Sequence, residues 1–217
     1  MTKAMKQTAS ELPRQMVWRH IARRFEDDRE CLASYLAMEA AEVLEGVKPG
    51  NLVSLSSRPQ ACGRSMLDLW RRHGQELLAG CGLAAEELAA QAGSILLYIY
   101  RPEELQRLLA RTSVRVILEK AGYDGPVGPG ELFAGLREKM TGGQFPHEIG
   151  IILGYPLKDV VAFMGWVTLP FACQGPWKIY GDPRPSLELA LRFRECRCRM
   201  AGRLASGSPL ECLGKAA

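Results

Sequence analysis

The sequence contains no apolar run long enough to cross a bilayer as a helix. Its most apolar stretch, residues 94–100, falls far short of the ~20 residues that a membrane-spanning helix needs. The first residues are basic, but no apolar segment follows them, which argues against a secretory signal. We therefore expect a cytoplasmic protein without a membrane span.

Cysteine spacing and net charge give equally little support to a disulfide framework, a cysteine metal site or a nucleic-acid-binding face. The seven cysteines are an odd number and include no Cys-x-x-Cys pair, so we expect reduced thiols rather than a disulfide framework. Cys196 and Cys198 form the closest pair, which alone is a weak metal signal. A net charge of +4 is too small to predict a nucleic-acid-binding face.

The composition is that of a globular protein, with 47% hydrophobic and 24% charged residues among 217. The sequence shows no internal repeat and no low-complexity tract. We expect residues 1–13 to form a flexible N-terminal tail and residues 14–217 to form one domain. The glycine- and proline-rich loop 122–130 is a candidate subdomain boundary.

Hydrophobic periodicity predicts an α+β fold, with a small, mainly antiparallel sheet covered by several helices. The segment 82–92 is ambiguous, because its alanine and glutamate content favours a helix while its position suits the first arm of a hairpin. The segment 165–176 is predicted to be irregular. The predicted strands are 52–55, 94–100 and 177–180, and the predicted helices are 14–45, 61–78, one opening at 102, 114–121, 130–140, 146–153, 156–164 and 185–204.

Five sequence blocks together carry a resemblance to a known family. In order and spacing they resemble the bacterial domain of unknown function, family 3793, from residue 32 to the C-terminus. The segment 166–172 (WVTLPFA) departs from the family pattern, because it is more apolar than the linker rich in lysine and glycine that is expected there. The blocks are residues 44–52 (LEGVKPGNL), 96–102 (LLYIYRP), 145–156 (FPHEIGIILGYP), 173–182 (CQGPWKIYGD) and 193–196 (FREC).

The resemblance implies no established activity and identifies no cofactor, although it suggests a link to iron or redox physiology. Candidate ligand-binding residues lie in three of the blocks. If the strands 94–100 and 177–180 pair, their alternate side chains place tyrosine hydroxyls and a lysine in one polar patch beside His147 and Cys173. The candidates are Tyr98, Tyr100, Arg101, His147, Glu148, Tyr155, Cys173, Lys178 and Tyr180.

Two motifs in this region have both a functional and a structural interpretation. His147-Glu148 lacks the second histidine of a zinc-protease helix, so it is either a helix start or a ligand or proton-transfer site. The helices on either side of residues 154–156 superficially resemble a helix-turn-helix. The second helix offers only Lys158 for reading a groove and also carries Asp159, so we expect packing and no sequence-specific DNA binding.

The cysteines and the last helix leave further alternatives open. Cys196 lies on an apolar helical stripe, which predicts core packing, whereas Cys173 near Lys178 could be a reactive thiol or a metal ligand. The helix 185–204 carries a basic cluster that is either a solvated face or a surface for an acidic partner or RNA. The basic residues are Arg192, Arg194, Arg197, Arg199 and Arg203.

The functional expectation that follows is a binding protein for a small ligand, cofactor or metal. One alternative is an enzyme that uses Cys173 or His147. Another is a regulatory interaction protein that acts through its basic C-terminal helix. The sequence identifies neither the ligand nor a reaction.

Overall fold

A computed structural model describes residues 18–125 and 127–214 of the chain. The expected tail, residues 1–13, lies outside the described residues. Two short 3₁₀ helices, Trp18–His20 and Ala22–Arg24, precede the first α-helix. The α-helices among the described residues are α1 (Asp28–Glu39), α2 (Ala41–Leu44), α3 (Met66–Leu78), α4 (Pro102–Leu109), α5 (Thr112–Lys120), α6 (Pro129–Thr141), α7 (Ile149–Ile152), α8 (Leu157–Phe163), α9 (Arg184–Ser206) and α10 (Pro209–Gly214). The strands are β1 (Gly50–Ser56), β2 (Ala84–Gln91), β3 (Ser94–Tyr100), β4 (Phe171–Gln174) and β5 (Lys178–Tyr180).

The main sheet has three antiparallel strands in the order β1-β3-β2. The central strand, β3, is the most apolar segment of the chain, and both of its faces are covered. A β-branched and aromatic strand suits this doubly buried position. The predicted α+β class is confirmed, as are the strands at residues 52–55 and 94–100.

The ambiguous segment before β3 is strand β2, not a helix. It pairs with β3 along its length, and Gly93 closes the hairpin with a φ of +78°, a conformation that glycine adopts without steric cost. The central strand needs a partner for its second edge of backbone N–H and C=O groups. That tertiary requirement overrides the helix propensity of alanine and glutamate.

The prediction that residues 177–180 pair with the main sheet is wrong. Residues 178–180 form strand β5, but β5 pairs with β4 in a separate two-stranded sheet. Strand β4 itself lies in the segment that we predicted to be irregular. Three of its four residues are exposed, so the strand carries no burial pattern from which the sequence could reveal it.

Helix boundaries differ from the prediction mainly at N-terminal ends. The predicted helix 14–45 is interrupted before Asp27, which caps α1 by accepting bonds from the amides of Arg29 and Glu30. The predicted helix 61–78 begins only at Met66, where the Ser65 side chain caps α3. Asp and Ser favour such caps because their oxygens accept the first unpaired helical N–H groups.

Alternate residues of β3 divide the core into two clusters, one on each face of the sheet. Ile95, Leu97 and Ile99 face a cluster built with α1, α2, α3 and the end of α9. Tyr98 and Tyr100 face a second cluster built with α4, α5, α6 and α7. Two-sided coverage follows from the period-two alternation of a strand. No helix among the described residues is both long and apolar enough to cross a membrane.

The long helix α9 contributes to the first cluster through its C-terminal half. Met200 and Leu204 are buried there. Cys196 is also fully buried, so its predicted burial on this helix is confirmed. Cys198 is exposed. Cys196 and Cys198 therefore occupy different environments on the helix.

Gly50 of β1 is in close contact with the ring of Tyr98. A Cβ atom at position 50 would lie 2.2 Å from Tyr98 Cζ. The Tyr98 ring cannot move away easily, because it is fully buried and its hydroxyl donates a 2.7 Å hydrogen bond to the carbonyl of Ile152. The ring also stacks on Tyr100, with centroids 5.2 Å apart.

We predict that Gly50→Ala lowers the free energy of unfolding by about 1–3 kcal/mol or more, because overpacking a tight site forces backbone and side-chain shifts. Urea unfolding at equilibrium measures this change. The matched control is Gly130→Ala in α6, where nothing lies within 4 Å of the added Cβ and alanine favours the helix. Equal stability of Gly50→Ala and the wild type would contradict the packing argument.

Candidate functional site

A cavity of about 700 Å³ opens between α9 and the junction of α1, α2 and β1. We call it the Lys48 cavity. Its wall combines charged groups with apolar side chains, as small-molecule sites commonly do. The polar lining residues are Glu39, Glu42, Lys48, Asn51, Arg194 and Arg197, and the main apolar ones are Leu52, Tyr155, Leu187, Leu191 and Phe193.

The turn after α2 places Lys48 at this cavity. The carbonyl of Glu42 accepts hydrogen bonds from the amides of Val47 and Lys48. The Arg101 guanidinium donates to the carbonyls of Val43 and Leu44, both at 2.9 Å. These bonds satisfy carbonyls that the end of a helix leaves unpaired, so the backbone beneath the cavity is fixed.

Lys48 is a nearly buried lysine, with 6% of its surface exposed. Its Nζ donates a 2.9 Å hydrogen bond to Asn51 Oδ1 and lies 4.8 Å from the centroid of the Phe193 ring. Burial lowers the pKa of Lys48 to about 8, and the charge of Glu42 only partly opposes that shift. A buried ammonium is costly because it loses hydration. Lys48 therefore loses its proton far more easily than a solvated lysine.

Glu42 forms a buried ion pair on the same wall. Arg197 Nε donates to Glu42 Oε1 at 2.8 Å, and Arg197 also lies 3.6 Å from Glu39 Oε2. Glu42 Oε2 is buried and has no hydrogen-bond partner among the described residues. An unpaired buried carboxylate oxygen costs free energy. Glu42 thus carries a buried acceptor atom beside the Lys48 cavity that the described part of the chain leaves unpaired.

A stacked aromatic pair separates this cavity from a second one. Tyr155 and Trp177 lie face to face, with centroids 4.5 Å apart. On the far side is a cleft of about 430 Å³, which we call the His147 cleft. Its walls are mostly apolar. His147 packs edge-on against Phe163 at 4.9 Å, and Lys178 Nζ lies 5.3 Å from the same ring.

Asp159 of α8 holds the aromatic wall in place. Its Oδ1 accepts hydrogen bonds from Lys158 Nζ and the Tyr180 amide, at 2.7 and 2.9 Å. Its Oδ2 accepts from Trp177 Nε1 and Ser186 Oγ, at 2.9 and 2.6 Å. Burial raises the pKa of Asp159, but these donors outweigh burial and lower the pKa overall. The ionised carboxylate therefore joins α8, β5 and the start of α9.

Three of the predicted ligand-binding residues meet at the His147 cleft. His147 and Lys178 line it, and Tyr155 lines both cavities. The other lining residues include Gln174, which pairs with Lys178 across the β4–β5 hairpin. The helix-start interpretation placed His147 in a helix beginning at residue 146, but α7 begins at Ile149, so His147 precedes it, with an exposed side chain.

The predicted polar patch of tyrosines and lysine is not formed, because β3 and β5 belong to different sheets. Tyr98 and Tyr100 do point the same way, but into the core. Glu148 is also internal: it accepts a hydrogen bond from the Tyr123 hydroxyl at 3.1 Å and forms an ion pair with Lys139. Arg101 caps α2, as described above. These four residues support the structure around the sites and do not line either cavity.

Cys173 and Tyr180 also lie away from the cavity linings. Cys173 is half-buried and packs on the cluster of Trp177, Ile179 and Phe193, and it is not among the described residues that line the two cavities. The half-buried Tyr180 donates its amide to Asp159. The structure therefore does not place Cys173 and His147 in one cavity.

The helix-turn-helix-like segment and the basic cluster of α9 both make contacts within the protein. Lys158 Nζ, the basic group of the second short helix, donates to Asp159 and to the Tyr180 carbonyl. In α9, Arg199 forms an ion pair with Glu45 at 2.5 Å, and Arg203 donates to the Cys212 carbonyl. Much of the basic cluster thus ties α9 to neighbouring elements. The absence of sequence-specific DNA binding stays a prediction.

No group of three or more His, Cys, Asp or Glu side chains that could hold a metal ion occurs within residues 18–125 and 127–214. A family model described as Protein of unknown function (DUF3793) matches residues 36–213. The chain belongs to this family. No curated protein and no solved structure matches it. The resemblance found in the sequence blocks is confirmed.

The DUF3793 blocks contained a signal for the Lys48 cavity that the sequence analysis did not use. Lys48 and Asn51 stand in the first block, within Lys48-Pro49-Gly50-Asn51, whose proline and glycine are typical of a turn and not of a ligand site. Glu42 lies just before that block, and Arg197 follows the last one. Glu42 and Arg197 are 155 positions apart. Their ion pair produces no periodic pattern in the sequence, so the sequence alone could not reveal it.

We predict that Asp159→Asn is strongly destabilising, by about 2–4 kcal/mol, because an amide would direct N–H donors at groups that also donate. Urea unfolding monitored by tryptophan fluorescence checks this. Asp182→Asn is the control, because Asp182 is exposed and pairs only locally with Arg184. Similar losses in the two variants would mean that Asp159 does not hold the wall.

A second prediction concerns the pH dependence of stability. Between the folded pKa of Lys48, about 8, and its ordinary value of 10.5, the unfolded chain binds a proton that the folded chain has released. The free energy of unfolding therefore rises with pH across this window, by at most about 3 kcal/mol.

Lys48→Met should lack this rise. The measurement is the difference in unfolding free energy between wild type and variant from about pH 7 to pH 10, in which the ionisation of tyrosines cancels. Lys178→Met, at an exposed lysine, serves as the control and should keep the wild-type slope. A pH-independent difference for Lys48→Met would contradict the assignment.

Proposed function

We propose that this protein binds a small organic anion with an apolar or aromatic body in the Lys48 cavity. The observation that carries the proposal is the nearly buried Lys48 ammonium at the wall of a 700 Å³ cavity. Charged lysines are rarely buried without a partner of opposite charge. A bound carboxylate, sulfonate or phosphate would supply that partner.

The charges of the lining support an anionic ligand. Three basic side chains, Lys48, Arg194 and Arg197, line the cavity together with two acidic ones, Glu39 and Glu42. Arg197 pairs with both acids, so much of their negative charge is compensated before Lys48 is counted. An anion would also gain from the low dielectric of a partly enclosed site.

The apolar side of the cavity supports a ligand with a hydrophobic body. Leu187 and Leu191 of α9 are 36% and 43% exposed at its lining, and the rings of Tyr155 and Phe193 form another part of the wall. Apolar walls with a few convergent polar groups are typical of small-ligand sites. The ligand's apolar part would cover these exposed leucines.

The family blocks converge on the same place. Residues of four blocks line the cavity, among them Lys48, Tyr155, Gly175 and Phe193. The remaining block supplies Arg101, which fixes the carbonyls of α2 beneath Lys48. This convergence supports a common site for the family. We also propose a cytoplasmic location in a bacterium, in keeping with seven free cysteines.

Fluorescence titration with anilinonaphthalene sulfonate, an aromatic anion, tests the proposal. We expect saturable binding, and affinity that falls as pH rises through about 8, where Lys48 loses its proton. Lys48→Met should weaken binding by about tenfold, as expected for a lost bond to a charged group. Lys178→Met, in the His147 cleft, should bind as the wild type does.

A further variant avoids any loss of folding at the buried lysine. Leu191→Glu changes an exposed residue at the cavity and should weaken binding of the anion by charge repulsion, with an unchanged melting temperature. Dye binding that is unsaturable, or that is weakened by Lys178→Met and not by the cavity variants, would contradict the proposal.

A further inference from the structure

We propose that Lys48 captures a carbonyl-bearing ligand covalently, as a Schiff base with an aldehyde or ketone that also carries an anionic group. This inference rests on the proposed function, because the same cavity must first admit the ligand. It goes beyond that function by assigning a reactive atom, Lys48 Nζ, and a class of substrate.

The position of the amine meets the steric requirement for this chemistry. Lys48 lines a cavity large enough for a small ligand, and its Nζ is held between Asn51 Oδ1 and the ring of Phe193. Tyr155 lies on the same side, with its centroid 5.8 Å from Nζ. These contacts restrict the rotamers of a side chain that is otherwise flexible, so the nitrogen is preorganised for attack.

The environment also favours the reactive form of the amine. Only the neutral amine has a lone pair that can attack a carbonyl carbon, and desolvation is an established way to activate a lysine. With a pKa of about 8, on the order of a tenth of Lys48 is neutral at pH 7, compared with less than about a thousandth of an ordinary lysine.

The reaction is balanced without any further reagent. The neutral amine adds to the carbonyl carbon and gives a carbinolamine, which loses its hydroxyl group with a proton as water. In sum, one ammonium and one aldehyde give one iminium and one water. The positive charge on nitrogen is retained, so the attraction of Glu42 for this position persists in the adduct.

The proton that the ammonium releases before attack passes to solvent through the open cavity, and a proton from solvent leaves with the departing hydroxyl group as water. Glu42 lines the same cavity, and its charge favours the cationic nitrogen before and after the reaction.

Reductive trapping with para-carboxybenzaldehyde and cyanoborohydride tests the inference on the full chain. Cyanoborohydride transfers hydride to an iminium and so makes the link permanent, and peptide mass spectrometry locates it. Among the lysines we expect one dominant adduct, on Lys48, formed at least about tenfold faster than on an ordinary solvated lysine at neutral pH. The mapping on the wild-type chain needs no variant, so it does not depend on how a substitution folds.

Lys48→Arg and Lys178→Arg are the matched variants. Arginine keeps the positive charge but forms no imine under these conditions, so Lys48→Arg should lose the dominant adduct while Lys178→Arg keeps it. Adducts spread evenly over the lysines, or undiminished in Lys48→Arg, would overturn the covalent proposal. If the dye still binds in that case, the proposed function stands. If neither the dye nor the aldehyde is retained at the cavity, both fail.

Discussion

The ion pair between Glu42 and Arg197 is the interaction on which the candidate site depends. It joins α2 to α9 across 155 positions of sequence, and both partners line the Lys48 cavity. Breaking such a buried pair by removing one partner usually leaves an uncompensated charge, at a cost of several kcal/mol. The position of α9 over the cavity therefore depends on a polar contact as well as on its apolar stripe.

Asp159 has a comparable role for the aromatic pair of Tyr155 and Trp177 between the two cavities. Its carboxylate accepts four hydrogen bonds, including one from Trp177, and Trp177 stacks on Tyr155. Asp159, whose two carboxylate oxygens each accept two hydrogen bonds, thus orients the aromatic pair that divides the two cavities. Arg101 plays a similar part beneath Lys48. Polar groups that are fully satisfied specify one geometry where apolar packing alone would tolerate several.

The sequence predicted the parts of the fold that local pattern determines. Strand β3 and its alternation were predicted correctly, because a short β-branched and aromatic run favours a strand. Strand β2 and the β4–β5 sheet were not, since pairing partners override propensity. Of the predicted site residues, Tyr155 lines the Lys48 cavity and His147 and Lys178 line the His147 cleft, whereas Lys48 was not predicted. A lysine before proline predicts a turn, and only the tertiary structure buries it.

The arrangement of buried charge is itself informative. Replacing buried ion pairs with apolar residues is often neutral or stabilising, so a fold gains little from burying Lys48, Glu42 and Arg197 for stability alone. Here these groups lie at the wall of a cavity. Glu42 Oε2 has no partner among the described residues, and the Lys48 charge is opposed by desolvation. Costs of this kind are concentrated at functional sites, where a ligand supplies the missing contacts.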